Sequence, residues 1–138
     1  MTKEIDNDVY NILTKDGVKN IDFENENSLI TDLKTIIDEN KDLENWSKRL
    51  INTESNSATL ICQQPGEGNR KHYHSNWNEW WYIIKGEWKF EIEDQVYRIK
   101  KGQLVLIKKN LKHKITAIGN ETAIRLAVSR SDVDHIYD

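Results

Sequence analysis

From Ala58 onward the chain alternates apolar and polar residues in short runs broken by turn residues. Trp88, Phe90 and Ile92 interleave with Glu87, Lys89 and Glu91, a strand with one apolar and one charged face. Similar runs cover 59–63, 71–74, 79–84, 96–99, 103–107, 112–118 and 122–128. Pro65-Gly66, Lys85-Gly86 and Glu93-Asp94-Gln95 punctuate them. The pattern predicts about eight short strands, hence an all-β sandwich or barrel. Before residue 57 the character changes, and Asn, Asp, Glu and Lys dominate. Within that stretch Leu29, Ile30, Leu33, Ile36 and Ile37 fall on one helical face, with Ser28 as the expected cap and Asn40 as the stop. Trp46, Leu50 and Ile51 continue the packing as a short helix or a leading strand. The expected organisation is a helical, irregular extension over residues 1–56 packed on a β-barrel over 57–138.

A chain of 138 residues has room for one compact domain that needs no disulfide. Cys62 is the single cysteine, which suits a reducing compartment. There is no basic-then-apolar leader and no long apolar run, so a cytoplasmic protein with no membrane contact is expected. Twenty basic residues against 23 acidic ones give a net charge of −3, which argues against nucleic-acid binding. The lysines at 100, 101, 108, 109, 112 and 114 read as a solvated surface.

Histidine carries the chemistry. Side chains two apart on a strand point the same way, so His72 and His74 project from one face. Glu79 opens the next strand after a short turn, and His113 begins a later one. Together they offer three imidazoles and a carboxylate to one divalent ion, with positions left for water or substrate. Burying such a set without a cation would strand polar groups. His135, near the C-terminus, is expected to be an ordinary surface residue.

These residues carry a family resemblance. Gly66-x5-His72-x-His74-x4-Glu79-x6-Gly86 resembles the complete first motif of the cupin superfamily, and Gly102-x5-Lys108-x-Asn110-x2-His113 resembles the second. The likeness covers about residues 57–128. It implies a jelly roll, the double-stranded β-helix, with a divalent metal held by His72, His74, Glu79 and His113. The second motif departs from the usual pattern: Lys108 replaces a proline, Asn110 a glycine and Ala117 an asparagine. Asn110 still tolerates the left-handed bend that a glycine would make.

Strand phase sets Trp81 beside Glu79 as an aromatic wall of the pocket, and turns Trp80 and Tyr82 outward. Tyr73 is expected to point away as well. Some cupin lyases pair their metal with a tyrosine two residues past the glutamate; Trp81 stands there, which disfavours that chemistry. Arg125, between Ala123 and Ala127, either faces the barrel and holds an anion or faces outward to an acidic partner. The outward placement is preferred. The expected function is binding or turnover of a small, possibly anionic molecule at a centre holding Fe, Mn, Ni, Co or Zn. Dioxygenase-like chemistry comes first, a Lewis-acid isomerase or lyase next, and a non-catalytic ligand-binding or regulatory cupin is the alternative. The resemblance also implies a homodimer.

Overall fold

The structure is a computed structural model, which describes residues 3–21 and 26–137. Its elements run β1 (Glu4–Asp6), α1 (Val9–Lys15), β2 (Lys19–Asn20), α2 (Leu33–Glu39), β3 (Trp46–Asn52), β4 (Ser57–Gln63), β5 (Glu79–Lys85) and β6 (Glu87–Ile92). Then follow β7 (Gln95–Lys100), β8 (Leu104–Ile107), β9 (His113–Ile118), β10 (Ala123–Ser129) and β11 (His135–Tyr137). A six-stranded sheet in the order β2-β3-β4-β10-β5-β8 lies over a three-stranded sheet β7-β6-β9, and β1 pairs with β11 apart from both. The protein is thus a jelly roll with a helical preface. Trp81, Ile83 and Ile107 from the large sheet meet Trp88, Phe90 and Ile115 from the small one in the core between them.

The large sheet is covered on both faces. Its inner face closes the barrel core, while Leu60, Cys62 and Ile124 on the outer face pack with Trp46, Leu50 and Ile36 of α2. This is why β4 is buried along its whole length instead of alternating. The helix α2 is shorter than the sequence pattern suggests. Asp32, not Ser28, caps it by accepting from the Thr35 backbone N–H, and Leu29 and Ile30 lie exposed ahead of it. A carboxylate three residues before the orphan amide is the better cap, and it wins. Asn40 ends the helix as expected. A second helix, α1, has no counterpart in the sequence reading.

Two features of the motifs have structural causes. Gly86 sits at φ +77 against Ala123, whose Cα would lie 2.8 Å from a Cβ added at Gly86. Asn110 takes φ 72, the left-handed bend expected of it. Residues 71–74 do not form a full strand but are strung between two others. His72 exchanges backbone hydrogen bonds with His113 of β9, and Tyr73 exchanges them with Ile136 of β11. The alternation is kept, so the His72 and His74 rings share one side, with centroids 4.9 Å apart.

Candidate metal centre

His72, His74 and His113 each present a ligand atom within 4.8 Å of the others, and His74, Glu79 and His135 form a second such group. The three histidines picked from the sequence thus fall in one group, and Glu79 joins them through His74, which both groups share. His135 corrects the surface placement: it is only 8% exposed, and its ring stacks on that of His72 with centroids 4.6 Å apart. Its approach depends on tertiary pairing, since β11 is held by β1 on one side and Tyr73 on the other. No spacing signal in the sequence announces it.

Backbone carbonyls orient all four rings. Nδ1 of His72 meets the Arg70 carbonyl at 2.6 Å, Nδ1 of His74 that of Asp134 at 2.6 Å, and Nδ1 of His113 that of Leu111 at 3.0 Å. Nδ1 of His135 meets the Val133 carbonyl at 3.2 Å. A carbonyl oxygen only accepts, so Nδ1 carries the hydrogen and Nε2 is the free donor atom for a metal. Asp134 does further work: its carboxylate accepts from the backbone N–H and the hydroxyl of Ser75, clamping the turn after His74.

Electrostatics prepare the rings. Burial pushes His113 and His135 down to about 4 and His72 well below its ordinary value, so these three are neutral near pH 7. That is the ligating form. His74 moves the other way: burial opposes its charge, but the neighbouring Glu79 carboxylate raises its pKa. Burial likewise opposes the charge on Glu79, yet the His74 contact, helped by His135 and His113, holds it well below the usual carboxylate range. Glu79 Oε2 lies 3.1 Å from His74 Nε2, close enough for an ion pair. That nitrogen lacks an aligned hydrogen bond, as does buried Nε2 of His113. Buried imidazoles gathered near a carboxylate, with Nε2 of two of them lacking an aligned hydrogen bond, fit a divalent cation that would take the place of any proton between them.

Trp81 stands where the sequence puts it, buried on the wall of a cavity of about 60 Å³ that also touches His72, Glu79 and His135. Its indole N–H donates to Glu79 Oε1, so it fixes the carboxylate as well as lining the pocket. Trp80 and Tyr82 face outward, and the Tyr73 hydroxyl accepts from Lys3 Nζ, away from the centre.

Arg125 is a second correction. It is 3% exposed and faces the same cavity, with its guanidinium 4.7 Å from the Trp88 ring centroid and 5.4 Å from that of Trp81. The outward reading failed because α2 covers the outer face of β10, which gives Ile124 and Leu126 an apolar home there. The inner face is left to Ala123, Arg125 and Ala127. Nη1 donates to Gln63 Oε1 at 2.6 Å, while Nε has no partner. Burial lowers its pKa to about 10, with Glu79 and Asp16 opposing, so it stays charged at neutral pH.

Asp16, at the end of α1, is a cavity residue the sequence did not reveal, since Lys15-Asp16-Gly17 reads as a plain turn. Its carboxylate is 3.5 Å from Arg70 Nε. Burial pushes its pKa up to about 6, against the pull of Arg70 and Arg125. A carboxyl with a folded pKa above its unfolded one contributes stability below about pH 4, which is lost as pH rises through about 6. Asp16→Asn is therefore expected to be more stable than wild type at pH 8, by on the order of 2 kcal/mol, with the gap closing by pH 4. Chemical denaturation at the two pH values checks this.

Comparison with known proteins agrees with the fold. The family profile described as "Cupin domain" matches residues 59–129. The chain belongs to the cupin superfamily. An RmlC-like cupin family protein from Methanocaldococcus jannaschii, described as a double-stranded β-helix, is 31% identical, with 64% of this chain and 81% of that one covered and a TM-score of 0.58. A predicted oxalate decarboxylase from Thermotoga maritima is 27% identical over 54% of this chain and 64% of that one, with a TM-score of 0.52. A protein of Streptomyces cyaneus described as "Polyketide synthase CurC" is 25% identical over 46% of this chain. That match spans less than half of the curated relative, 42%. Among the described residues, no helix is long and apolar enough to cross a membrane.

Proposed function

We propose that this protein is a mononuclear metal cupin that draws a small organic anion into the cavity beside its metal centre and transforms it there. The observation that carries this reading is Arg125, a buried cation with an unpartnered Nε on the wall of a cavity whose other walls include His72 and Glu79. A buried guanidinium with a donor to spare suits a carboxylate. The likeness to a predicted oxalate decarboxylase supports the same substrate class.

His72, His74, Glu79 and His113 would hold the ion, which is Fe, Mn, Ni, Co or Zn. A redox-active ion supplies oxygen chemistry there, and a redox-inert one supplies Lewis acidity. The chain's own residues do the rest. Arg125 orients the anion, Trp81 holds Glu79 and excludes water, and Asp16 is placed to hold or release a proton near neutral pH. Dioxygenase-like chemistry ranks first, and isomerase or lyase chemistry second.

The cavity size favours one further reading, a non-catalytic ligand-binding or regulatory cupin. About 60 Å³ admits only a molecule of a few heavy atoms, and Val9, Ile12 and Leu13 of α1 line it. In this scheme residues 1–56 form an extension that seals and covers a barrel over 57–138, with β2 and β3 joining the barrel's sheet. Outward Trp80 and Tyr82, beside exposed Leu104 and Leu106 on β8, support a homodimer through that face. The lone buried thiol of Cys62 supports a cytoplasmic setting.

The test is calorimetric titration of oxalate and other small carboxylates into metal-loaded wild type and Arg125→Met, followed by product analysis with and without oxygen. The variant is expected to bind at least about ten-fold more weakly, as loss of hydrogen bonds to a charged group predicts. Equal affinity in both proteins would remove the anion reading. Turnover that consumes oxygen identifies a dioxygenase, turnover without it an isomerase or lyase, and tight binding without turnover the regulatory reading.

A further inference from the structure

The cupin motifs supply four ligands, yet a fourth imidazole stands at the same centre. We infer that His135 is a fifth protein ligand to the metal, so that the site is built from four histidines and one glutamate. The inference rests on the metal-site reading above and extends it to a residue outside both motifs.

Three observations carry it. First, His135 shares its donor group with two of those four residues: one ring nitrogen of His135, one of His74 and a Glu79 oxygen are mutually within 4.8 Å. Second, its ring is held as a ligand's ring is held. Nδ1 of His72, of His113 and of His135 each meets the carbonyl two residues earlier in the chain, at Arg70, Leu111 and Val133. The same local contact thus fixes the same tautomer three times, and leaves Nε2 as the ligand atom of His135. Third, the ring is packed among ligand rings, with centroids 4.6 Å from both His72 and His74. A buried imidazole set against two other imidazoles and the Glu79 carboxylate crowds polar atoms into one dry space, where they conflict unless paired. A cation resolves the conflict.

The placement has a consequence for the pocket. His135 lines the cavity together with His72 and Glu79. With His135 as a further ligand, fewer positions on the ion would be left to an incoming anion, which would rely on Arg125 for a further anchor. The position of His135 also ties the centre to the N-terminal segment, since Asp6 of β1 is its partner in the β1–β11 ladder.

The test uses the full-length protein loaded with Co²⁺ alone. Proton NMR of the paramagnetic wild type is expected to show four exchangeable, hyperfine-shifted imidazole N–H signals, one for each Nδ1. His135→Gln is expected to lose one of the four, and its Co²⁺ dissociation constant to rise at least ten-fold in a chelator competition. Three signals in the wild type, or a variant with unchanged affinity and signal count, would overturn the role of His135 and leave the four-ligand site intact. A wild type that binds no Co²⁺ and shows no shifted signals would overturn both readings together. Counting signals in the wild type needs no folded variant.

Discussion

His74→Ala is expected to lose the thermal protection that a divalent ion gives the wild-type protein. His74 is the residue common to both donor groups, fully buried, with Nδ1 fixed by the Asp134 carbonyl and Nε2 beside Glu79. Its loss removes a proposed ligand and takes from the Glu79 carboxylate the imidazole 3.1 Å away. An ion that binds only the folded state stabilises by about 2.7 kcal/mol at a free concentration 100 times its dissociation constant. For a domain of this length that is a shift of several degrees in Tm. The wild type should show it on addition of the ion, and the variant should show little or none. Melting curves with and without the ion, at matched protein concentration, provide the comparison.

Trp88→Ala should carry the largest stability cost outside the centre, about 3–5 kcal/mol. Trp88 is wholly buried in the core between the sheets, against Phe90, Ile115 and their neighbours. It also forms the aromatic floor under Arg125, 4.7 Å from the guanidinium. Truncation therefore opens a cavity and takes a cation–π contact from a buried charge. A loss of that size is a large share of the roughly 5–15 kcal/mol that holds a typical domain together. Trp88→Phe is expected to cost much less, because the ring remains and the indole N–H, buried without a partner, is removed. Guanidinium unfolding midpoints of the two variants should separate accordingly.

Legibility of the site followed the range of the interactions that build it. His72 and His74 sit on extended backbone, so period-two alternation is enough to put them on one side, and the short turn that follows leads to Glu79 at the start of the next strand. Trp81 and Tyr82 followed from the same phase. His113 is legible from its place at the start of a later strand, with which the motif register agrees. Arg125 was misplaced because alternation assumes one dry face per strand, and here α2 dries the outer face of β10 as well. His135 and Asp16 were missed for a different reason. Each reaches the centre or its cavity through pairing or packing of terminal elements, β11 with β1 and α1 along the cavity wall. Such contacts join residues from about fifty to well over a hundred positions apart, and no local pattern records them. The start of α2 slipped by a few residues because Leu29 and Ile30 continue the apolar spacing while the capping carboxylate is Asp32.

The most direct measurement is the metal content of the protein purified without added metal, and again after exposure to iron, manganese, cobalt, nickel or zinc and extensive dialysis. Elemental analysis should find close to one divalent ion per wild-type chain under at least one of these conditions, and almost none in His74→Ala. A wild type that retains no more metal than His74→Ala under every condition would contradict a metal centre in this barrel.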